Sequence, residues 1–359
     1  MRINGKKIGL NEPPYIIAEM SANHNGDIKN AFGIIDMAIS CGAHAVKLQT
    51  YSPETITMDM RTSEFMIKEG LWKGQSLYEL YESAFMPWDW HKPLFEYARK
   101  MNMTIFSSPF DNSAVDLLED LNAPAYKIAS FEAVDIPLIK YVAKTGKPMI
   151  ISTGMANEDE IEEAINAAKE GGCKDLAILH CVSGYPAPAR DYNLNTLVDM
   201  KERFKLVTGL SDHTVENTTA LGAVALGASI IEKHVTLDRN GGGPDDSFSL
   251  EHKELKELVA GTRATWEALG SIDYGRKSSE IGNVQFRRSL YFVKNLKKGE
   301  VISNKNTKSI RPGHGLAPKY FEEILGKRVL INIEAGTAVN WDHIEKLSLI
   351  HISEPTRPY

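Results

Sequence analysis

Two lysines and two histidines carry the strongest chemical signal in this sequence. Lys47 lies in the apolar run "AVKLQT" and Lys127 in "AYKIAS". A lysine inside such a run is rare unless paired, because stripping water from its charge costs several kcal/mol. Two of them invite an anion. Ser130, Ser152 and Ser211, each at the end of an apolar run, would supply hydroxyl donors around it. That set suits a phosphate together with a carboxylate. The competing expectation is that each lysine simply pairs with a glutamate. His213, in "GLSDHT", and His234, in "SIIEKHV", end two successive runs. Two imidazoles on neighbouring strands can share a divalent metal, with water or substrate completing the shell. His180 either orients other groups or is structural. Cys181 reads as a small buried hydrophobe.

These residues need strands to hold them, and the chain supplies eight candidates in order. They are "YIIAEM", "AVKLQT", "TIFSSPF", "AYKIAS", "PMIIST", "LAILHC", "KLVTGLS" and "SIIEKHV". Most are apolar on both faces, as buried parallel strands are. Helical patterns lie between them. In "NEDEIEEAINAAKEGG" (157–172), Asn157 reads as the N-cap, Glu160 as its capping-box partner and Gly171 as the stop. Eight β–α units predict a (β/α)8 TIM barrel over 1–270, where chemistry sits at the C-terminal ends of the strands. A doubly wound open sheet is the alternative, but no G-x-G-x-x-G turn follows the first strand. The segment 70–93, "GLWKGQSLYELYESAFMPWDWHKP", is rich in Trp and Tyr. Such residues form either core or an apolar wall for a deoxy sugar or an acyl group. Past the last strand, "RNGGGPDDSFSLEH" would lie over the barrel mouth; Asp245 or Asp246 there contacts a substrate or is solvated.

The polar stretch 271–284 reads as a linker and 285–346 as a small β-rich domain with glycine turns. Residues 348–359, "LIHISEPTRPY" and the residue before it, fit neither pattern and read as a non-native or disordered tail. Net charge is −6 with no long basic run, which argues against nucleic acid as a partner. The three cysteines fit no metal or disulfide spacing, so a reducing compartment is expected. No signal-peptide pattern opens the chain, and the longest apolar run, 220–231, is shorter than the about 20 residues a bilayer needs. No membrane association and a cytoplasmic location are the expectation.

Eight ordered motifs, "AEMSANHNG", "VKLQT", "SSPFD", "AYKIAS", "ISTGM", "LHCVSGYPAP", "GLSDHT" and "EKH", together resemble the sialic acid synthase family. The C-terminal part, with "RPGHGLAP", is similar to that family's antifreeze-like (SAF) domain. The resemblance implies an enzyme, a transferase that condenses phosphoenolpyruvate with an acetamido sugar and releases phosphate. "EMSANHNG", the 70–96 segment and "GGPDDSFSLE" favour the branch whose acceptor is 2,4-diacetamido-2,4,6-trideoxy-β-L-altropyranose. The N-acetylneuraminate and legionaminate branches are the alternatives. On matching motif positions, Lys47, Lys127, Ser130, Ser152, Ser183 and Ser211 would bind phosphoenolpyruvate. His213 and His234 would hold Mn2+ or Mg2+. Glu19, Gln49, Tyr185 and Asp245 would face the sugar. Glu132, Glu19 and the two histidines would be catalytic, with Glu132 handling the water proton. Arg311 would reach from the SAF domain into a partner's barrel, implying a domain-swapped homodimer. Two readings compete: a Schiff-base aldolase on Lys127, and a sugar-binding protein that keeps the scaffold without turnover.

Overall fold

Each of the eight apolar runs becomes a strand in the computed structural model, which describes residues 1–346. The tail expected at 348–359 lies outside the described residues. A short antiparallel hairpin, β1 (Arg2–Ile3) and β2 (Lys6–Lys7), comes first. The barrel strands follow: β3 (Tyr15–Glu19), β4 (Ala45–Thr50), β5 (Thr104–Pro109) and β6 (Tyr126–Ile128). Then come β7 (Met149–Ser152), β8 (Leu176–Cys181), β9 (Val207–Asp212) and β10 (Ile230–His234). All pair in parallel with their sequence neighbours, and β10 closes on β3 from Ile230↔Tyr15 to His234↔Glu19. The open-sheet alternative is thereby excluded.

Alternation along the strands sorts the side chains into two apolar sets. Ile17, Ala45, Phe106, Ile150, Leu179 and Ile230 fill the barrel interior. Their neighbours Ile16, Val46, Ile105, Ile151, Ile178 and Ile231 pack outward in the helix-facing core. Each Val, Leu, Ile or Phe among them contributes about 1.5–3 kcal/mol when removed from water. The same parity decides which polar residues reach the barrel mouth. Glu19, Lys47, Lys127, Ser152, Ser211, Glu232 and His234 share the interior parity.

The helices follow the expected signals. Asn157 accepts the Glu160 N–H at 3.0 Å while the Glu160 carboxylate accepts the Asn157 N–H at 2.8 Å, opening the helix Glu158–Glu170. The aromatic-rich segment splits its roles. In the helix Trp88–Lys100, His91, Leu94 and Phe95 are buried. The helix Leu77–Ala84 instead turns Leu80 and Tyr81 toward the barrel mouth, where they line a cavity. Among the described residues, no helix is long and apolar enough to cross a membrane.

The chain divides into two units, Met1–Gly270 and Ser271–Tyr359. In the second, the stretch expected as a plain linker carries a 3-10 segment, Ser278–Phe286. Its paired strands are β11 (Ser289–Phe292) and β12 (Thr307–Ile310). The run "KRVLINIEAGTAVNW" forms only isolated bridges such as Leu296↔Ile333 and Val329↔Ile344. Gly326 and Gly336, at φ 82° and 91°, turn the chain before a ladder can extend. Leu290, Phe292, Ile302, Ile324, Val329 and Val339 make this unit's own core.

Candidate active site

Four charged side chains meet inside the barrel. Lys47 Nζ lies 2.9 Å from Glu19 Oε2 and 3.5 Å from Glu232 Oε1. Lys127 Nζ reaches the same Glu232 oxygen at 3.5 Å. Both lysines therefore do face glutamates, as the competing expectation had it, but the two share one carboxylate. Ser108 and Ser211 extend the set: Lys47 Nζ donates to Ser108 Oγ at 3.2 Å, and Ser211 Oγ donates to Glu232 Oε1 at 3.3 Å. Burial works against every charge here. At Lys47 the carboxylates of Glu19 and Glu232 outweigh it and hold the ammonium above its usual value. At Lys127 burial prevails and pulls the ammonium down. Burial also raises Glu19, whereas the two lysines hold Glu232 below the usual carboxylate range. Lys127 has no hydrogen-bond acceptor among the described residues apart from that one carboxylate contact, so most of its donor capacity is uncommitted.

Two serines, Ser130 and Ser183, meet at a glycine after β7. Gly154 donates its N–H to Ser130 Oγ at 3.2 Å. A Cβ at Gly154 would stand 2.2 Å from Ser183 Oγ and 2.8 Å from Ser130 Oγ, so only glycine lets both hydroxyls approach. Ser152 Oγ is buried without a partner. Hydroxyls arranged this way can donate to an anion's oxygens.

The histidines end β10 and follow β9, with ring centroids 5.4 Å apart. His213 Nδ1 lies 2.8 Å from the Val182 carbonyl, which fixes the N–H there and leaves Nε2 with a lone pair. Burial opposes a proton on His213, but its hydrogen bond with Cys181, 3.9 Å away, raises it. Burial also pushes the Cys181 thiol up, and His213 overrides this to lower it. Cys181 is buried, as a small hydrophobe would be, with its Sγ also 3.9 Å from His213 Nδ1. Burial holds His234 well below the usual imidazole value, and its buried Nδ1 has no hydrogen-bond partner. Two imidazoles with free lone pairs fit a divalent cation. Among the described residues, no three His, Cys, Asp or Glu converge as a closed cage. Solvent or substrate would therefore complete the shell.

A cavity of about 190 Å3 lies beside these groups, lined by Gln49, Ser130, Glu132, Tyr185, His234 and Asp245 among others. Lys47, Lys127, Ser152, Ser183, Ser211 and His213 do not line it. Gln49 links the two parts, its Nε2 donating to Glu19 Oε1 at 3.0 Å and to Ser21 Oγ at 2.9 Å. Ser21 Oγ in turn donates to Asp245 Oδ2, which lies 3.7 Å from His234 Nδ1. Of the two adjacent loop acids, Asp245 faces the cavity. Asp246 holds the loop, accepting from Asn25 Nδ2 at 2.9 Å and the Gly243 N–H at 2.8 Å. Glu132, on a 3-10 turn after β6, keeps Oε2 without a partner, and burial pushes its carboxyl up to about 7. Tyr185 packs against His213 in a tilted arrangement, with ring centroids 4.3 Å apart. Ile56, Trp72, Leu80, Tyr81 and Phe110 supply an apolar wall. Trp72 Nε1 donates to the Pro244 carbonyl at 3.2 Å, joining that wall to the loop after β10.

Two polar strand residues fall outside the site. His180 and Ser107 have the outward parity: His180 meets the Tyr192 carbonyl, and Ser107 meets Thr50. Arg311 belongs to the second unit, where it lines a concavity of about 580 Å3 with Arg287 and Arg288. Glu232, Gly154, Ser21 and Ser108 carried no assigned role from sequence. Glu232 was visible as a strand-end acid, but its bridging of both lysines depends on barrel closure. Gly154 lay in "ISTGM" without a signal beyond its being glycine.

Residues 34–274 match the NeuB family model and residues 287–345 the SAF domain model. The chain is 43% identical over 325 residues to a pseudaminic acid synthase of Campylobacter jejuni strain 81-176, covering 90% of this chain and 95% of that protein. It is 40% identical over 316 residues to an N,N'-diacetyllegionaminic acid synthase of Campylobacter jejuni, covering 87% of this chain and 94% of that one. The crystal structure of the spore coat polysaccharide biosynthesis protein SpsE of Bacillus subtilis superposes with a TM-score of 0.65. It is 36% identical, covering 97% of this chain and 99% of that one.

Proposed function

The chain belongs to the NeuB family, a membership set by its sequence matches, and from it we propose that the protein is a pseudaminic acid synthase. It would be a transferase joining phosphoenolpyruvate to 2,4-diacetamido-2,4,6-trideoxy-β-L-altropyranose. The carrying observation is the convergence of an under-satisfied buried lysine, a glycine-spaced serine cradle, two imidazoles and an unpartnered carboxyl near neutrality.

Lys47 and Lys127 hold the phosphate and carboxylate charges, with Ser130, Ser152, Ser183 and Ser211 donating hydroxyls. Their fixed positions supply orientation and preorganised electrostatics. With the sugar ring open, C3 of phosphoenolpyruvate bonds to the aldehyde carbon, the carbonyl oxygen takes the displaced electron pair and a proton, and positive charge develops at C2. Glu132 takes a proton from the water that adds there. The C2–O bond to phosphorus then breaks and phosphate leaves. A divalent cation on His213 and His234 would supply Lewis acidity to the sugar carbonyl when bound. Glu19, Gln49, Tyr185 and Asp245 would orient the sugar. The wall of Ile56, Trp72, Leu80 and Tyr81 favours the methyl of a deoxy sugar over a hydroxymethyl. Arg311 is proposed to serve the barrel of a partner subunit; its support is the motif resemblance.

A phosphate-release assay tests the reading. Phosphoenolpyruvate and Mn2+ are offered with three sugars: the altrose derivative, N-acetylmannosamine and the diacetamido-trideoxymannose. Turnover should favour the altrose derivative. Preference for another sugar would overturn the branch, and no release with any of them would overturn the activity.

A further inference from the structure

The two strands that lead to the histidines, β9 and β10, also have an outward face. On the inward face, Ser211 and Glu232 are register partners joined by a hydrogen bond. One residue on, Asp212 and Lys233 are register partners as well, with the opposite parity. Their side chains are 0% and 1% exposed. Lys233 Nζ donates to Asp212 Oδ2 at 2.9 Å, to the Thr214 carbonyl at 2.6 Å and to the Glu216 carbonyl at 2.8 Å, with Thr214 Oγ1 at 3.3 Å. Asp212 Oδ1 also accepts the Thr214 N–H at 2.9 Å.

One ammonium therefore ties down the turn on both sides of His213. That tie is needed because β9 ends at Asp212, leaving His213 beyond the ladder. The other bonds of His213 run the opposite way: its N–H donates to Tyr192 Oη at 2.6 Å and its carbonyl accepts the Ala187 N–H at 3.1 Å. Lys233 is the bond network's link to β10, and the next residue along that strand is His234. Stability alone does not call for such a pair, since an apolar pair of like volume is often as stable. Registry between two strands is a use that a buried pair serves well.

We infer that Asp212 and Lys233 are positioning residues that fix His213 against His234 and thereby set divalent-cation affinity. This rests on the reading of the two histidines as cation ligands. The test is Mn2+ titration of the full chain, followed by electron paramagnetic resonance of free Mn2+, with phosphoenolpyruvate titration and thermal melting alongside. Asp212→Asn and Lys233→Met should lose about 10–100-fold in Mn2+ affinity, as loss of an outer-shell partner does. Phosphoenolpyruvate affinity should stay within about threefold, since the pair faces away from the anion site. If Lys233→Met does not fold, Asp212→Asn carries the test. His213→Ala is the reference. Wild-type Mn2+ affinity in folded Asp212→Asn, with binding lost in His213→Ala, would overturn the positioning role alone. Wild-type affinity in His213→Ala would overturn the cation reading itself.

Discussion

Lys127 and Lys233 are equally buried, each 2% exposed, and burial pulls both below the usual lysine value. Their surroundings differ. Lys233 has four oxygens within 3.3 Å for its three protons. Lys127 has one shared carboxylate oxygen at 3.5 Å. Burial alone thus does not separate a binding lysine from a structural one; acceptor saturation does. A saturated ammonium holds the chain together, whereas an unsaturated one has donors left for a ligand.

Exchanging each lysine for methionine should break this comparison if it is wrong. Lys127→Met is expected to lower kcat/KM for phosphoenolpyruvate by about 10³-fold, the scale of losing a preorganised charge, with the melting temperature kept or raised. Lys233→Met should instead destabilise by about 3–5 kcal/mol, because Asp212 is left buried and unpaired. Denaturant unfolding beside steady-state kinetics reads both; a similar profile for the two variants would refute the distinction.

Glu132→Gln should cost about 10²-fold or more in kcat, in the range of a lost proton-transfer group. With the wild-type carboxyl near 7, the base is the ionised form, so kcat should rise with pH through about 7 and the variant should lack that limb. The stability effect has the opposite direction. Because burial raises the folded value above 4.5, the contribution of Glu132 is full below about that pH and is lost as pH rises through about 7. Melting curves of wild type should show this fall, and those of the variant should not. A milder effect is expected at Gly154→Ala. Its new methyl would occupy the gap between Ser130 and Ser183, so KM for phosphoenolpyruvate should rise about tenfold with little change for the sugar. Smallest is Trp72→Ala: KM for the sugar should rise severalfold and preference for a 6-deoxy acceptor should weaken, read by comparing acceptors with and without the C6 hydroxyl.

The barrel was legible because its strands are continuous apolar runs, and the inward lysines and histidines stood out as costly exceptions within them. Alternation also explains why His180 misses the site, though its place at the end of an apolar run had made it look eligible. Other features rest on pairings remote in sequence. Asp212 reads as a local turn residue until β10 brings Lys233 opposite it. Glu232 becomes the centre of the charge cluster only when the barrel joins β4, β6 and β10 around one interior. In the second unit, short segments between glycine turns form bridges rather than ladders, so strand propensity overstated the regular structure there.

The most direct test of the account follows the bridging oxygen of phosphoenolpyruvate. If Lys127 and the serine cradle retain the phosphate while water adds at C2 beside Glu132, the C–O bond breaks. With 18O at the C2–O–P bridge, the purified enzyme, Mn2+ and the altrose acceptor, mass spectrometry should find the label in the released phosphate. Label retained in the nine-carbon-chain product would contradict the account.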